Sequence, residues 1–225
     1  MNALIVVAKR PAAGHTKTRL SPPLSPDQAA LLYECFLRDT LELMRRVTRR
    51  VPGVKPVIAY LPRDAESYFA QLAPEFDRMV QTGDDLGARL DHALQRYLAL
   101  GYERVAIMNS DGPTLPIDHL AAAFDALSDH ADVVLGPSDD GGYYLIGLKK
   151  PAPRLLREVQ MSTPRVTADT LALAEAEGLR VKLLPVWYDV DDVESLRRLR
   201  DELATAPSHV APHTRSFLRA TSLAL

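Results

Sequence analysis

Val105-Ala-Ile-Met-Asn-Ser-Asp-Gly-Pro-Thr-Leu-Pro116 decides how this chain folds. Val105–Met108 is a short apolar run of the kind found in a sheet covered on both faces. Asn109, Ser110 and Asp111 emerge at its C-terminal end, Gly112 and Pro113 stop the strand, and Pro116 is placed to open a helix over Ile117–Leu127. In open α/β sheets ligands sit outside the carboxyl ends of strands, so Asp111 falls where chemistry is normally done. A carboxylate there can hold a divalent cation against a diphosphate, because hard cations take oxygen ligands. It can equally close an Asx-turn, and the residues alone leave both readings open.

Outward from that stretch, Ala3–Ala8 reads as a buried first strand. The Pro/Gly-rich loop Lys9–Leu24 follows, carrying Lys9, Arg10, Lys17 and Arg19 before any acid. Ser25-Pro26-Asp27-Gln28 is a helix start with an N-cap, proline at N1 and a capping-box glutamine. Its helix sets Tyr33, Phe36, Leu37, Thr40, Leu41 and Met44 on one core-facing stripe. Cys35, beside that stripe, reads as packing, with no electropositive partner to activate it. Further strands are expected at Lys55–Leu61, Phe76–Val80, Ala131–Gly136, Tyr143–Leu148 and Val181–Leu184. Helices are expected at Asp64–Leu72, Leu86–Leu100, Arg165–Glu177 (capped by Thr163-Pro164) and Val193–Leu203. The loop before Tyr143 is too short for a helical crossover, so that strand pair is predicted antiparallel or locally mixed. The alternation argues for an α/β fold with a mostly parallel sheet. No repeat or linker divides it, so one domain over 1–225 is expected, with a weakly periodic tail over 207–225 that wraps the domain or is partly mobile.

The totals bound the function. The chain has 225 residues, 47% hydrophobic and 25% charged, the balance of a protein with a full core. A net charge of −2 gives no reason to expect nucleic acid or an anionic membrane as partner. One cysteine excludes an intramolecular disulfide framework and fits a reducing compartment. The opening apolar run is too short for a signal peptide, and no stretch approaches a membrane span of about 20 apolar residues. A cytoplasmic protein is expected.

Two loop types carry the chemistry. Gly14-His-Thr-Lys17-Thr18 lacks the glycines of a P-loop, and no G-x-G-x-x-G follows the first strand. What remains is a turn with Lys9, Arg10, Lys17 and Arg19, suited to nucleotide phosphates but also readable as a solvated basic loop. Four acidic loops fall at predicted strand ends: Asp84/Asp85, Asp111, Asp139/Asp140 and Asp189/Asp191/Asp192. Converging carboxylates repel unless a cation or proton intervenes, so a shared rim would suit a metal–nucleotide site with Mg²⁺ or Mn²⁺. Asp192 also reads as the N-cap of the last helix. Gly141-Gly142 before Tyr143-Tyr144 suggests a close backbone approach beside an aromatic surface. The histidines show no metal spacing and there is no G-x-S-x-G, so zinc and serine-hydrolase chemistry are disfavoured.

With these residues in view, the chain resembles a bacterial family of GT-A-fold, nucleotide-diphospho-sugar-transferase-like proteins, some assigned as glycosyltransferases of arsenosugar biosynthesis. The resemblance rests on A-K-R-P-A-A-G-H-T-K-T-R-L (Ala8–Leu20), Q-T-G-D-D-L-G-A-R-L (Gln81–Leu90), N-S-D-G-P-T-L-P (Asn109–Pro116), D-D-G-G-Y-Y-L-I-G-L (Asp139–Leu148), S-T-P-R-V (Ser162–Val166) and W-Y-D-V-D (Trp187–Asp191). The layout is more distantly similar to 2-phospholactate guanylyltransferases and molybdenum-cofactor nucleotidyltransferases. The resemblance implies a GT-A-like three-layer α/β/α sandwich. It places Ala8 and Lys9 at the base and ribose, and Lys17 and Arg19 on phosphates. Gly14, Thr18, Asp85, Arg89 and Ser110 complete the nucleotide set. Asp111 is implied as a metal ligand, with Asp189 or Asp191 finishing its shell, and Asp140, Gly141, Gly142 and Tyr143 face the acceptor. Three departures stand out: Gly112 where serine is common, Met161 where tryptophan is common, and Asp192-Val193 in place of Thr-Pro.

The leading expectation is a metal-dependent glycosyltransferase acting on a nucleotide sugar and a small-molecule acceptor, as monomer or homodimer. Lys17 and Asp111 serve the leaving diphosphate, and Asp140 serves as base if transfer inverts configuration. The alternative is a nucleotidyltransferase that joins an NTP to a phosphorylated or carboxylated acceptor and releases pyrophosphate. A non-catalytic nucleotide-binding protein is the third.

Overall fold

Unbroken apolar runs make the centre of the sheet, because strands covered on both faces have no polar side to alternate with. The structure is a computed structural model describing residues 1–221, so the last four residues of the 207–225 tail lie outside the described residues. Strands β1 (Asn2–Lys9), β2 (Val54–Leu61), β3 (Asp77–Val80), β4 (Arg104–Met108), β5 (Val133–Pro137), β6 (Tyr143–Leu148) and β7 (Val181–Leu183) form one sheet in the order 3-2-1-4-6-5-7. Strands β1, β2, β3 and β4 pair in parallel, and β6 runs antiparallel to both β4 and β5, as the short loop predicts.

Successive side chains alternate between two layers. Leu4, Val6, Ala106 and Met108 pack against α1 (Pro26–Arg50) through Phe36, Leu37 and Met44. Phe69 of α2 (Glu66–Leu72) joins the same layer. Ile5, Val57, Val105 and Ile107 meet Leu90 and Leu94 of α3 (Leu86–Ala99) on the opposite face. Helix α4 (Ile117–Asp129) covers the α1 side, while the short α5 (Arg154–Arg157) and α6 (Val166–Ala176) cover the α3 side. Each fully buried Leu or Ile contributes roughly 2 kcal/mol relative to exposure, so the two apolar faces account for the three-layer arrangement.

Ser25 caps α1: its hydroxyl accepts from Gln28 N, and Gln28 Oε1 accepts from Ser25 N. The expected α1 stripe is buried throughout. Half-buried Cys35 has its thiol pushed up to about 11 by burial, then by Asp39 and Glu34, as befits a packing residue. Asp192 caps α7 (Val193–Thr205).

Several element ends differ from expectation by one or two residues, and two differences bear on the architecture. Helix α6 starts at Val166 with Arg165 at its N-cap, so Thr163 lies outside it. Ser162 takes φ 62° there, and the turn this makes delays the helix. The tail contains a helix, α8 (Pro212–Ala220), that packs on α1. The buried Asp39 carboxylate accepts from His213 N (3.0 Å) and Thr214 N (2.8 Å), tying α8 by its N-terminus. Arg215 donates to the carbonyls of Leu203, Ala206 and Pro207, satisfying the end of α7.

Candidate active site

The pairing of β1 with β4 ends at Val6↔Met108, whereas β1 and β2 stay paired to Lys9↔Leu61. Beyond Met108 the chain turns away, and a cleft of about 760 Å³ opens at the carboxyl ends of these strands. A buried hydroxyl relay fixes its floor. Ser110 Oγ donates to Val7 O (3.1 Å), Tyr33 OH accepts from Lys9 N (3.1 Å), and the two hydroxyls lie 2.9 Å apart. With the Ser110 proton given to Val7, Tyr33 is the donor to Ser110. Burial, with Asp111 adding to it, pushes the Tyr33 phenol up to about 12.

The basic loop then drops a cation onto the acidic rim. Lys17 takes a left-handed conformation, φ 50°, and its side chain is only 5% exposed. Nζ lies 2.5 Å from Asp111 Oδ1 and 2.8 Å from Asp191 Oδ1. The rings of Phe36 and Tyr33 are 5.6 and 6.0 Å away. Burial alone would lower the ammonium's pKa, but the two carboxylates outweigh it and hold it above its ordinary value.

Asp189 stands beside this triad. Its Oδ2 accepts from Asn109 Nδ2 (2.9 Å) and Ser138 Oγ (3.3 Å), while Oδ1 is buried without a donor. Burial first, and the Asp111 charge second, push its carboxyl up to about 7. Val190 N donates to Asp111 O (2.9 Å), joining this segment to the end of β4. Gly112 is packed here: a Cβ on it would lie 3.0 Å from Tyr188 O, so serine would fit only if that carbonyl gave way.

The opposite wall is built from backbone. Asp140 Oδ1 accepts from Gly142 N (2.8 Å), Thr167 Oγ1 donates to Gly142 O (2.5 Å), and Thr167 N donates to Gly141 O (2.9 Å). Tyr143 OH approaches Met161 Sδ at 3.8 Å.

Of the expected residues, Ala8, Lys9, Lys17, Thr18, Arg19, Arg89, Ser110, Asp111, Asp140, Gly142, Tyr143, Asp189 and Asp191 line this cleft together. Gly14, Asp85 and Gly141 do not. Gly14 turns the exposed loop at φ 73°, Asp85 caps α3 by accepting from Ala88 N, and Gly141 is pressed against Pro164. Asp139 pairs with Arg198 outside the cleft. Gln81, Tyr33, Asn109 and the turn over 162–164, for which no site role was expected, line it as well, as does Met161. Alternation from buried Met79 was the available signal for Gln81, since it puts a polar side chain on an apolar face. Among the described residues no three carboxylate, imidazole or thiol groups form a ready cation site. The Lys17 ammonium occupies the space between Asp111 and Asp191.

Fold and comparisons define a nucleotide-dependent transferase with a nucleotide-diphospho-sugar-transferase-like architecture. The chain belongs to the family described as "Uncharacterized protein conserved in bacteria (DUF2064)", which matches residues 43–163. It is 28% identical over 206 residues to 2-phospho-L-lactate guanylyltransferase of Methanothermobacter thermautotrophicus, covering 91% of this chain and 85% of that one. It is 31% identical over 120 residues to phosphoenolpyruvate guanylyltransferase of Chloroflexus aggregans, covering 51% of this chain and 56% of that one. A crystal structure from Desulfovibrio desulfuricans G20, assigned provisionally as a nucleotide-diphospho-sugar transferase, matches with a TM-score of 0.89 and 33% identity, covering 97% of this chain and 94% of that one.

Proposed function

We propose that the chain is a nucleotidyltransferase that joins a nucleoside triphosphate, GTP in first place, to a small phosphorylated carboxylic acid and releases pyrophosphate. The observation that carries this is the buried Lys17 ammonium set against strand-end carboxylates at the mouth of the cleft. With Lys9 and Arg19 on the same rim, that concentration of cation suits a triphosphate. The two relatives named as guanylyltransferases, whose names carry 2-phospho-L-lactate and phosphoenolpyruvate, support the same class of acceptor.

In such a reaction an oxygen of the acceptor phosphate attacks the α-phosphorus, and the bond from that phosphorus to the bridging oxygen of pyrophosphate breaks. The transition state needs positioning and neutralisation more than covalent help. Lys17 and Arg19 supply fixed positive charge toward the leaving pyrophosphate. Tyr33 and Ser110, locked together, hold the ends of β1 and β4 at a constant separation.

The donor set also suits Mg²⁺ or Mn²⁺. Asp189 Oδ1 is a buried carboxylate oxygen without a donor, and Asp111 and Asp191 share its rim. Mg²⁺ usually takes one or two carboxylates plus substrate phosphates, so a complete protein cage is not required. Bound there, the ion would supply Lewis acidity and charge against phosphate oxygens, held by Asp111 with Asp189 or Asp191.

Glycosyl transfer is the second reading, favoured by the 33% identity to the Desulfovibrio protein and by Asp140 in the cleft. Incubating the protein with GTP, Mg²⁺ or Mn²⁺, and 2-phospholactate or phosphoenolpyruvate, then measuring pyrophosphate, tests the proposal. Pyrophosphate release that needs both GTP and acceptor is expected. Consumption of a nucleotide sugar with no pyrophosphate from any triphosphate would overturn it in favour of glycosyl transfer.

A further inference from the structure

Gln81 follows β3 directly, and its backbone N donates to Tyr60 O (3.0 Å), so its main chain is fixed to the sheet. Its side chain is buried and lines the cleft. The amide nitrogen donates to Ala59 O at 2.9 Å and to Ala8 O at 3.2 Å. Two carbonyl oxygens flank that atom, so only the NH₂ end fits there and chemistry dictates the orientation of the amide. Both amide protons are therefore committed. Oε1 receives no hydrogen bond from any described residue.

The surroundings make that oxygen matter. Val7, Leu86, Leu90 and Ile107 line the same cleft and offer apolar contact without side-chain hydrogen bonds. A free amide can turn over to serve a donor or an acceptor, whereas this one presents an acceptor only. A ring edge with N–H groups meets a partner, and an edge with a lone pair meets repulsion and loses its water.

We propose that Gln81 reads the nucleobase: its fixed Oε1 accepts from the N1–H and 2-amino edge of guanine and turns away adenine, whose N1 carries a lone pair. The inference rests on the cleft being a nucleotide site, as proposed above. It adds the residue that sets the choice of base and the reason that the choice falls on a donor edge.

The experiment is an equilibrium titration of GTP, N1-methyl-GTP and ATP, with Mg²⁺, against the wild-type protein and Gln81→Met. Wild type is expected to bind GTP about tenfold or more tightly than either other nucleotide, the size of one well-made hydrogen bond. Gln81→Met is expected to bind GTP about tenfold more weakly and to bring all three nucleotides within about threefold of one another. Equal binding of GTP and N1-methyl-GTP by wild type overturns the inference, as does a folded Gln81→Met that keeps the full preference. If that variant fails to fold, the wild-type analogue series decides alone. Nucleotide binding without base discrimination sinks this inference only. Absence of binding by all three nucleotides sinks the nucleotide-site reading and the inference together.

Discussion

The two walls of the cleft are held by different physics. On one, Lys17 meets Asp191 across 174 residues of sequence and Asp111 across the end of β4. Its groups satisfy one another by charge, so an incoming polyanion has to exchange those partners. On the other, residues 138–143, turned by an Asx-type bond, are joined to 161–167 by backbone carbonyls and a glycine pressed on a proline. That wall gives shape and little charge. Substitutions in the first should therefore reach chemistry before stability, and substitutions in the second should reach stability before chemistry.

Asp111→Asn is the strongest way to break this contrast. It keeps the size of the side chain but leaves the Lys17 ammonium one carboxylate, and it removes the first expected metal ligand. Turnover should fall by about 10³-fold, as when a pre-organised charged partner of the transition state is lost, while thermal unfolding moves only a few degrees. A variant retaining a tenth of wild-type turnover would remove Asp111 from the chemistry.

Gly141→Ala addresses the other wall. Gly141 has φ 89°, and a Cβ there would overlap the carbonyl of Pro164, which is backbone and has no rotamer to yield. A loss of about 2–4 kcal/mol is expected from strain plus displaced backbone. That lowers Tm by roughly 6–12 °C in a chain of this length. An unchanged Tm would mean that the close approach does not constrain this wall.

Asp189→Asn separates charge from shape within the first wall. The folded carboxyl sits at about 7, raised by burial and by Asp111 from an ordinary 3.8. Between those values the folded state holds a proton that the unfolded chain has released, so stability falls as pH rises through that window and stays lowered above it. The amide removes this dependence. In chelator-treated buffer the variant should be more stable than wild type at pH 8, by on the order of 2 kcal/mol, with the gap closing near pH 4. Added Mn²⁺ should then stabilise wild type more than the variant, since only wild type gains the carboxylate ligand. A gap independent of pH would refute the raised pKa.

The parts legible in the sequence were those with a local signature. Leu4-Ile5-Val6 and Val105–Met108 announce buried strands by unbroken apolar character, Ser25 and Gln28 announce a capped helix, and the short span from Gly136 to Tyr143 forces an antiparallel return. Asp111 and Lys17 drew attention as charges in loops after strands, but the residues alone left an Asx-turn and a solvated basic loop open, and their roles came from the resemblance. Pairings between distant segments were not legible. Nothing near Lys17 says that its side chain turns inward to Asp191. The nine residues of α8 are too few to show periodicity, and that helix is fixed by Asp39 on another element. Alternation from Met79 gives the face that Gln81 takes, but not its partners, since the carbonyls of Ala8 and Ala59 that fix its amide lie far away in sequence. For Asp85 an acid before a helix suits an N-cap and a ligand equally, and the structure has it capping α3 away from the cleft lining.

Asp140→Asn should have the smallest effect of these substitutions if the protein transfers a nucleotidyl group. Asp140 is exposed at the rim, and its Oδ1 is engaged by Gly142 N, a bond that asparagine reproduces. A phosphorylated acceptor reaches the site already ionised at neutral pH, so no carboxylate has to take its proton. Pyrophosphate release should then change by about threefold or less, the remainder being local electrostatics at an exposed position. If instead a sugar hydroxyl is the nucleophile, the same substitution removes the base and should cost about 10²–10⁴ in turnover with nucleotide binding intact. The shape-bearing wall thus decides between the two chemistries through its one carboxylate in the cleft. Measuring kcat and KM for this variant beside the Asp111→Asn control shows whether that wall only receives the acceptor or also takes a proton from it.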